Sequence, residues 1–182
     1  MKIVAVVTGG GHGIGRALCR RLARDGAIVV VADIDADAAA KVATEIDGVA
    51  RQLDVSDESA ITLLVEEVET TIGPIEMFIS NAGVGFGDGQ SGAISAEGGM
   101  HAMDDRWSAC WNVNVMAQVY AARAVIPRML RRGGGHIINI ASAAGLLSQI
   151  GDAAYSATKH ASVGFTESLA INYGDDGIKE TS

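Results

Sequence analysis

Apolar residues along the chain form short continuous runs that alternate with longer segments of mixed polarity. Parallel strands that are covered on both faces show such Val- and Ile-rich runs rather than strict alternation. The predicted strands cover residues 3–7, 28–32, 49–55, 75–79 and 136–140. The other segments repeat apolar residues at helical spacing, and the predicted helices cover about 14–25, 36–46, 57–71, 105–131 and 155–173. This order predicts an α/β fold with a parallel sheet and helices on both faces.

Local signals predict where one helix begins and ends and where one long loop lies. Asp57 is a predicted N-cap, and Gly73 followed by Pro74 is a stop signal for the same helix. Residues 83–99 are rich in glycine and poor in periodic apolar residues, which predicts a long loop at the edge of the sheet. Since 182 residues suit one domain, a single domain is expected over residues 1–182.

Charge and cysteine content exclude several classes of function. Acidic residues outnumber basic ones by 22 to 14, and the net charge of −8 disfavours nucleic acids and anionic membranes as partners. The apolar run after Lys2 is too short for a signal peptide, and no run approaches the roughly 18 residues of a membrane span. Cys19, Cys110 and the singly scattered histidines follow no metal-ligand or disulfide spacing. We therefore expect a cytoplasmic protein that has no metal site and acts on small molecules.

Glycine is enriched, with 23 residues in the chain, and a cluster of it follows the first predicted strand. The candidate ligand-binding residues of this turn are Gly9, Gly11, His12, Gly13, Ile14 and Gly15. A strand, a glycine turn and a helix in succession suit a pyrophosphate, because glycine lets the backbone approach the ligand and the helix N-terminus stabilises its charge. Taken alone, the cluster is also compatible with a flexible turn or a simple helix start.

Asp33 ends the second predicted strand, about twenty residues beyond the glycine turn. A carboxylate at this position can accept hydrogen bonds from both ribose hydroxyls of an adenosine nucleotide, and it would repel a 2′-phosphate. NAD is therefore favoured over NADP, with Asp33 and its neighbour Ile34 in the cofactor site. Asp33 could instead cap the following helix, although Asp35 or Asp37 could also fill that role.

Tyr155 and Lys159 are four residues apart, so on a helix both side chains lie on one face. An ammonium beside a phenol stabilises the phenolate, which suits a proton-transfer group, although such a pair arises more often by chance on a surface. Ser142 follows the fifth predicted strand, at the strand end where open α/β sheets bind ligands. Its hydroxyl can be presented to a substrate oxygen.

In this order along the chain, the elements resemble the short-chain dehydrogenase/reductase family over almost the whole sequence. The segment from Thr8 to Gly15 is similar to the family's TGxxxGxG loop, and the segment from Tyr155 to Lys159 to its YxxxK element. The other matches are Ser142, Asn81-Ala82-Gly83 (the family's NAG element), Asp54-Val55 (its adenine-contacting pair) and Asn114 (the asparagine of its proton relay). Ala117 departs from the family pattern, which often has glycine there.

The resemblance implies a Rossmann-type dinucleotide-binding fold with strand order 3-2-1-4-5 and hydride transfer between NAD(P) and an alcohol or carbonyl substrate. It implies that Tyr155 exchanges a proton with the substrate oxygen, which Ser142 orients. Lys159 would assist Tyr155 and hold the nicotinamide ribose, so both residues also belong to the cofactor site. Asn114 would anchor a water that links the lysine to solvent. A homodimer or homotetramer through the helices near 105–131 and 155–173 is also implied.

Members of this family continue with a sixth strand, a substrate-binding segment and a seventh strand, whereas residues 174–182 show only the threshold of a sixth strand. The two last strands are therefore expected to be largely missing, which would leave one edge of the fifth strand exposed. Two functions from different classes stay open. One is an NAD-dependent oxidoreductase acting on a secondary alcohol or ketone, and the other is a nucleotide-binding or oligomer-forming protein without turnover.

Overall fold

A computed structural model describes residues 3–87, 103–148 and 151–181 of the chain. Six parallel strands form one sheet in the order β3-β2-β1-β4-β5-β6. The strands are β1 (Val4–Thr8), β2 (Ile28–Asp33), β3 (Val49–Gln52), β4 (Ile75–Ser80), β5 (Gly135–Asn139) and β6 (Ile178–Thr181). The five strands predicted from apolar runs are all present, and the Rossmann-type α/β fold with its 3-2-1-4-5 order is confirmed.

The expectation that the sixth strand is largely missing is wrong. β6 pairs in parallel with β5 from Ile178, opposite Gly135, to Thr181, opposite Ile138. Only Ile178 of this strand is buried, so no continuous apolar run marks it in the sequence. The outer edge of β5 is likewise covered rather than exposed. The glycine at position 177 was a sequence signal for a turn before this strand, and in the structure its φ is +84°.

Six α-helices accompany the sheet in the described part of the chain. They are α1 (Gly13–Arg24), α2 (Ala36–Ile46), α3 (Glu58–Thr71), α4 (Asp104–Trp111), α5 (Ala117–Arg131) and α6 (Ala153–Tyr173). Asp57 caps α3 as predicted, since its carboxylate accepts hydrogen bonds from the backbone N–H groups of Ser59 and Ala60. The same helix ends at Thr71, before the predicted Gly-Pro stop.

The fourth predicted helix is not uniform. A π-helical segment, Asn112–Met116, separates α4 from α5, and in a π-helix the backbone hydrogen bonds span five residues instead of four. Asn114 lies inside this segment and is fully buried. Periodicity alone did not distinguish the π-helical segment from the helices on either side.

Two apolar cores lie on opposite faces of the sheet. Alternate residues of β1 belong to different cores, with Val6 in one and Val7 in the other, as expected for a strand covered on both faces. Within the described residues, no helix combines the length and apolar character needed to cross a membrane. Of the predicted loop 83–99, residues 83–87 belong to no helix or strand, and residues 88–99 lie outside the described ranges.

Candidate functional site

A cavity of about 400 Å³ opens at the carboxyl ends of β1, β2 and β4. This is the sheet edge where ligands bind in open α/β folds. The cavity is lined by Gly9, His12, Ile14, Asp33, Ile34, Leu53, Asp54, Val55, Asn81, Ala82, Gly83, Val84 and Val113. Ten of these thirteen are cofactor-site residues predicted from the sequence, and the structure brings them together. Leu53, Val84 and Val113 were not predicted, because they are ordinary apolar residues that follow no motif.

The glycine turn between β1 and α1 packs so closely that several of its positions have no room for a side chain. A Cβ on Gly15 would lie 2.0 Å from the carbonyl oxygen of Gly9, and a Cβ on Gly11 would lie 2.9 Å from Oδ2 of Asp33. Gly13 differs, because its φ of +49° is left-handed while its surroundings are open. Gly11, Gly13 and Gly15 therefore shape the turn, whereas Gly9 lines the cavity.

Asp33 lies at the end of β2 with only 8% of its surface exposed. Its Oδ2 accepts a hydrogen bond of 2.8 Å from the backbone N–H of Gly11, and its Oδ1 accepts one of 3.0 Å from the backbone N–H of Asp35. The helix-capping role belongs to Asp35, whose carboxylate accepts from the N–H of Ala38 at the start of α2. Asp33 is thereby fixed in the cavity wall, and its carboxylate keeps acceptor capacity for a ligand.

Asn81 joins the ends of β1 and β4 at the floor of the cavity. Its side-chain amide donates to the carbonyl oxygens of Thr8 at 2.9 Å and Gly9 at 3.1 Å. In return the Thr8 hydroxyl oxygen accepts from the backbone N–H groups of Asn81 and Ala82. These four bonds hold the glycine turn and the residues after β4 in one arrangement.

Tyr155 and Lys159 lie in the first turns of α6, with the Lys159 Nζ 5.6 Å from the centre of the Tyr155 ring. Lys159 is 4% exposed, and its Nζ donates a hydrogen bond of 2.7 Å to the carbonyl oxygen of Ile140 just beyond β5. Burial lowers the pKa of Lys159 from its ordinary 10.5. The predicted pair is therefore assembled on one helix face, and β5 orients its lysine.

Asn114 makes the side-chain contacts that tie α6 to the residues after β4. Its Oδ1 accepts from the N–H of Val84 at 2.8 Å, and its Nδ2 donates to the carbonyl oxygen of Val84 at 2.9 Å and to the hydroxyl of Thr158 at 3.0 Å. A Cβ on Gly83 would lie 3.2 Å from Asn114 Oδ1 and 3.6 Å from Lys159 Nζ. Gly83, which also lines the cavity, is thus the point where the cavity meets the Tyr-Lys pair.

Ser142 caps the short 3₁₀ turn Ala143–Gly145, and its hydroxyl oxygen accepts a hydrogen bond of 3.2 Å from the N–H of Ala144. This turn packs closely on α6, since a Cβ on Gly145 would lie 2.6 Å from the carbonyl oxygen of Lys159. Ser142 is therefore held next to the helix that carries Tyr155. Its one hydroxyl hydrogen is not used in the bond to Ala144.

Asp152, Thr158 and Cys110 contribute to this region although none of them was predicted. Asp152 is 3% exposed and caps α6 by accepting from the N–H of Tyr155 at 2.9 Å. Its charge, after the larger effect of burial, helps to raise the pKa of Cys110 to about 11. The cap could have been found from an Asp three residues before the tyrosine, at the start of a helical pattern.

The chain matches a family model described as short chain dehydrogenase over residues 3–181. Meso-2,3-butanediol dehydrogenase of Serratia marcescens is 34% identical over 98% of this chain and 68% of its own. Cyclohexanol dehydrogenase of Acinetobacter sp. (strain SE19) is 34% identical over 98% of this chain and 70% of its own. A short chain dehydrogenase/reductase of Burkholderia phymatum, solved in complex with NAD, has a TM-score of 0.87 and 31% identity over 98% of this chain and 63% of its own. The chain thus spans about two-thirds of the length of these relatives.

Proposed function

The chain belongs to the short-chain dehydrogenase family, and from this premise we propose that it transfers a hydride between NAD and a secondary alcohol or the corresponding ketone. The observation that carries the proposal is the junction at Gly83, where the Asp33-containing cavity adjoins the Tyr155-Lys159 pair. Both similar enzymes named above carry the names of secondary alcohols. The residues present fit a dinucleotide, since the cavity wall combines a glycine turn, a helix N-terminus and a carboxylate.

Bound in this cavity, the nicotinamide cofactor would accept the hydride from the substrate carbon. In alcohol oxidation Tyr155, as phenolate, takes the hydroxyl proton, and in ketone reduction it returns the proton to the oxygen. The Lys159 ammonium stabilises the phenolate from a fixed position. Ser142 donates its hydroxyl hydrogen, which the bond from Ala144 leaves unused, to the substrate oxygen and so orients it.

Asn114 supports this chemistry by holding Val84 and Thr158, and all three of its side-chain bonds are made within the protein. A water anchored by Asn114 would have to use its remaining acceptor capacity or its backbone. That water-anchoring role stays a prediction.

NAD is the proposed cofactor because the carboxylate of Asp33, in the cavity wall, would repel the 2′-phosphate of NADP. Asp33→Asn keeps the size and the hydrogen-bonding shape but removes the charge. We expect the ratio of NADP to NAD dissociation constants to fall by about tenfold or more in this variant. Titration calorimetry with both dinucleotides measures it, and an unchanged ratio would contradict the assignment of Asp33.

We further propose that the chain is a single domain and assembles as a homodimer or homotetramer. An apolar groove between α5 and α6, lined in part by Ala122, Ile126, Phe165 and Leu169, suits a second copy. Multi-angle light scattering at micromolar concentration should give a dimer or tetramer mass, and a monomer mass would contradict this proposal. The proposed cytoplasmic location is supported by two free, buried cysteines, Cys19 and Cys110.

The proposed reaction is tested by mixing the protein with NAD and a panel of secondary alcohols that includes butane-2,3-diol and cyclohexanol. We expect NADH absorbance to rise with at least one of these alcohols. With NADH, the protein should reduce the corresponding ketone. Tight NAD binding without turnover across the panel would instead support the non-catalytic, nucleotide-binding function.

A further inference from the structure

A single buried carboxylate joins the segment that follows β4 to the helix turn that carries Tyr155. The Asp152 Oδ1 accepts from the backbone N–H of Tyr155 at 2.9 Å. Its Oδ2 accepts from the N–H of Phe86 at 2.7 Å and from that of Gly87 at 2.9 Å. Hydrogen bonds to an ionised acceptor are stronger than neutral ones, and these three satisfy a carboxylate that is 3% exposed.

Residues 84–87, named here the clamp segment, are held at both ends. The side chain of Asn114 holds Val84 through both its N–H and its carbonyl oxygen. Asp152 holds the other end through Phe86 and Gly87. The clamp segment is therefore a bridge between the π-helical segment and the N-terminus of α6.

The middle of the clamp segment lies against the Tyr155 ring. A Cβ on Gly85 would lie 3.1 Å from Cδ2 of Tyr155 and equally 3.1 Å from Oδ2 of Asp152. A Cβ on Gly87 would lie 2.9 Å from the Cβ of Asp152. Any shift of the clamp segment thus changes the surroundings of the ring.

Asp152 differs from the other aspartates that cap helices. Asp35 and Asp57 are exposed, and among the described residues their carboxylates accept hydrogen bonds only from the first turn of their own helix. Asp152 is buried and divides its two oxygens between its own helix and a segment more than sixty residues earlier in the chain. A residue that only capped α6 would need only the hydrogen bond from the backbone N–H of Tyr155.

We propose that Asp152 is a positioning residue, which fixes the Tyr155 hydroxyl relative to the clamp segment and so to the substrate oxygen. The inference rests on the proposed function, since Tyr155 must take part in turnover for its position to matter. A small misplacement of a reacting group costs a large part of the rate without weakening cofactor binding.

The test compares Asp152→Ser with Asp57→Ser. Serine still caps a helix but is too short to reach Phe86 and Gly87, so only the first substitution breaks the bridge. In Asp152→Ser we expect amide hydrogen exchange at Phe86 and Gly87 to accelerate by about tenfold or more. The resonance of Tyr155 in ¹³C-tyrosine-labelled protein should move while those of Tyr120 and Tyr173 stay in place. The Asp57→Ser variant should change none of these signals.

At saturating NAD we expect kcat of Asp152→Ser to fall by about tenfold or more, with the NAD dissociation constant within about twofold of the wild type. Unchanged kcat and an unmoved Tyr155 resonance would reduce Asp152 to a helix cap and overturn the proposal. If the wild type turns over no substrate, the proposed reaction fails, and the exchange and resonance measurements still decide whether Asp152 positions Tyr155. Asp152→Asn, which keeps the shape and one acceptor oxygen, replaces the serine variant if that variant does not fold.

Discussion

The two halves of the sheet edge build their sites in different ways. In the nucleotide half, formed by β1 to β3, close glycine packing shapes the turn, and the side chains of Asp33 and Asn81 bond to its backbone groups. In the catalytic half, formed by β4 to β6 and α4 to α6, the contacts are side-chain hydrogen bonds between residues far apart in sequence. Asn114 donates to the hydroxyl of Thr158, and Asp152 accepts from the backbone N–H of Phe86.

This difference predicts different responses to substitution. A closely packed glycine turn is distorted when a side chain is added to a glycine, because the surrounding backbone leaves no room for it. A buried polar network fails when a partner is removed, because the remaining groups lose their hydrogen bonds in a place that water does not readily reach. Of the three substitutions that follow in order of expected effect, the first two test whether each half responds in its own way, and the third tests the pairing of β5 and β6.

The largest effect on stability is expected for Asn114→Ala in the catalytic half. It strands the N–H of Val84, which costs about 1–3 kcal/mol. It also removes one bond each from the carbonyl oxygen of Val84, which keeps the Cys110 thiol, and from the hydroxyl of Thr158, which keeps the Tyr155 carbonyl oxygen, at about 0.5–1.5 kcal/mol per bond. We expect the free energy of unfolding to fall by about 3 kcal/mol or more. Urea denaturation measures the loss, with Asn172→Ala as control, since Asn172 is exposed and bonds only within its own helix turn.

A loss within about 0.5 kcal/mol of the Asn172→Ala control would show that the network around Asn114 adds little to stability. Removing a partner from the polar network of the catalytic half would then cost no more stability than removing an exposed asparagine.

A smaller effect on stability, with a larger one on ligand binding, is expected for Gly15→Ala in the nucleotide half. The added Cβ would lie 2.0 Å from the Gly9 carbonyl oxygen, so the turn must shift, at about 1–3 kcal/mol and with loss of NAD affinity. Gly13→Ala is the matched control, because its surroundings are open and only its left-handed φ of +49° is strained, which costs about 1 kcal/mol. Equal NAD affinities in the two variants would contradict the close-packing account of this half.

The smallest effect is expected at the pairing of β5 and β6, away from both sites. Burial, and secondarily the charge of Lys179, lowers the pKa of His136 below its ordinary 6.5. The unfolded chain then binds a proton more readily than the folded chain, so this stabilising contribution is present above pH 6.5 and is lost as pH falls through the lowered value. The free energy of unfolding should therefore drop more on acidification in the wild type than in His136→Gln. Parallel pH dependences from urea denaturation would contradict this sign.

The same contrast explains what could be predicted from the sequence. The strands, the glycine turn and Asp33 were predictable because strand burial and phosphate binding impose patterns within a few consecutive residues. The π-helical segment around Asn114 and the bond from Asp152 to Phe86 were not, since they depend on partners brought together only by the fold. β6 was missed because a strand with a single buried residue leaves almost no apolar pattern.

The family resemblance identified the candidate catalytic residues but not the residues that hold them. Asn114, Ser142, Tyr155 and Lys159 match short motifs. The group that holds Lys159 is the backbone carbonyl oxygen of Ile140. Any residue type offers such an oxygen, so no sequence motif marks it. Sequence patterns therefore located the proposed chemistry, and the structure added how it is positioned.

We propose that most of the cofactor cavity belongs to the nucleotide half and proton transfer to the catalytic half, with Gly83 at their junction. Tyr155→Phe tests it most directly, by measuring the NAD dissociation constant and the rate of NADH formation with an alcohol that the wild type oxidises. We expect Tyr155→Phe to bind NAD within about twofold of the wild type and to form NADH about 10²–10⁴-fold more slowly. A variant that forms NADH at the wild-type rate would contradict it.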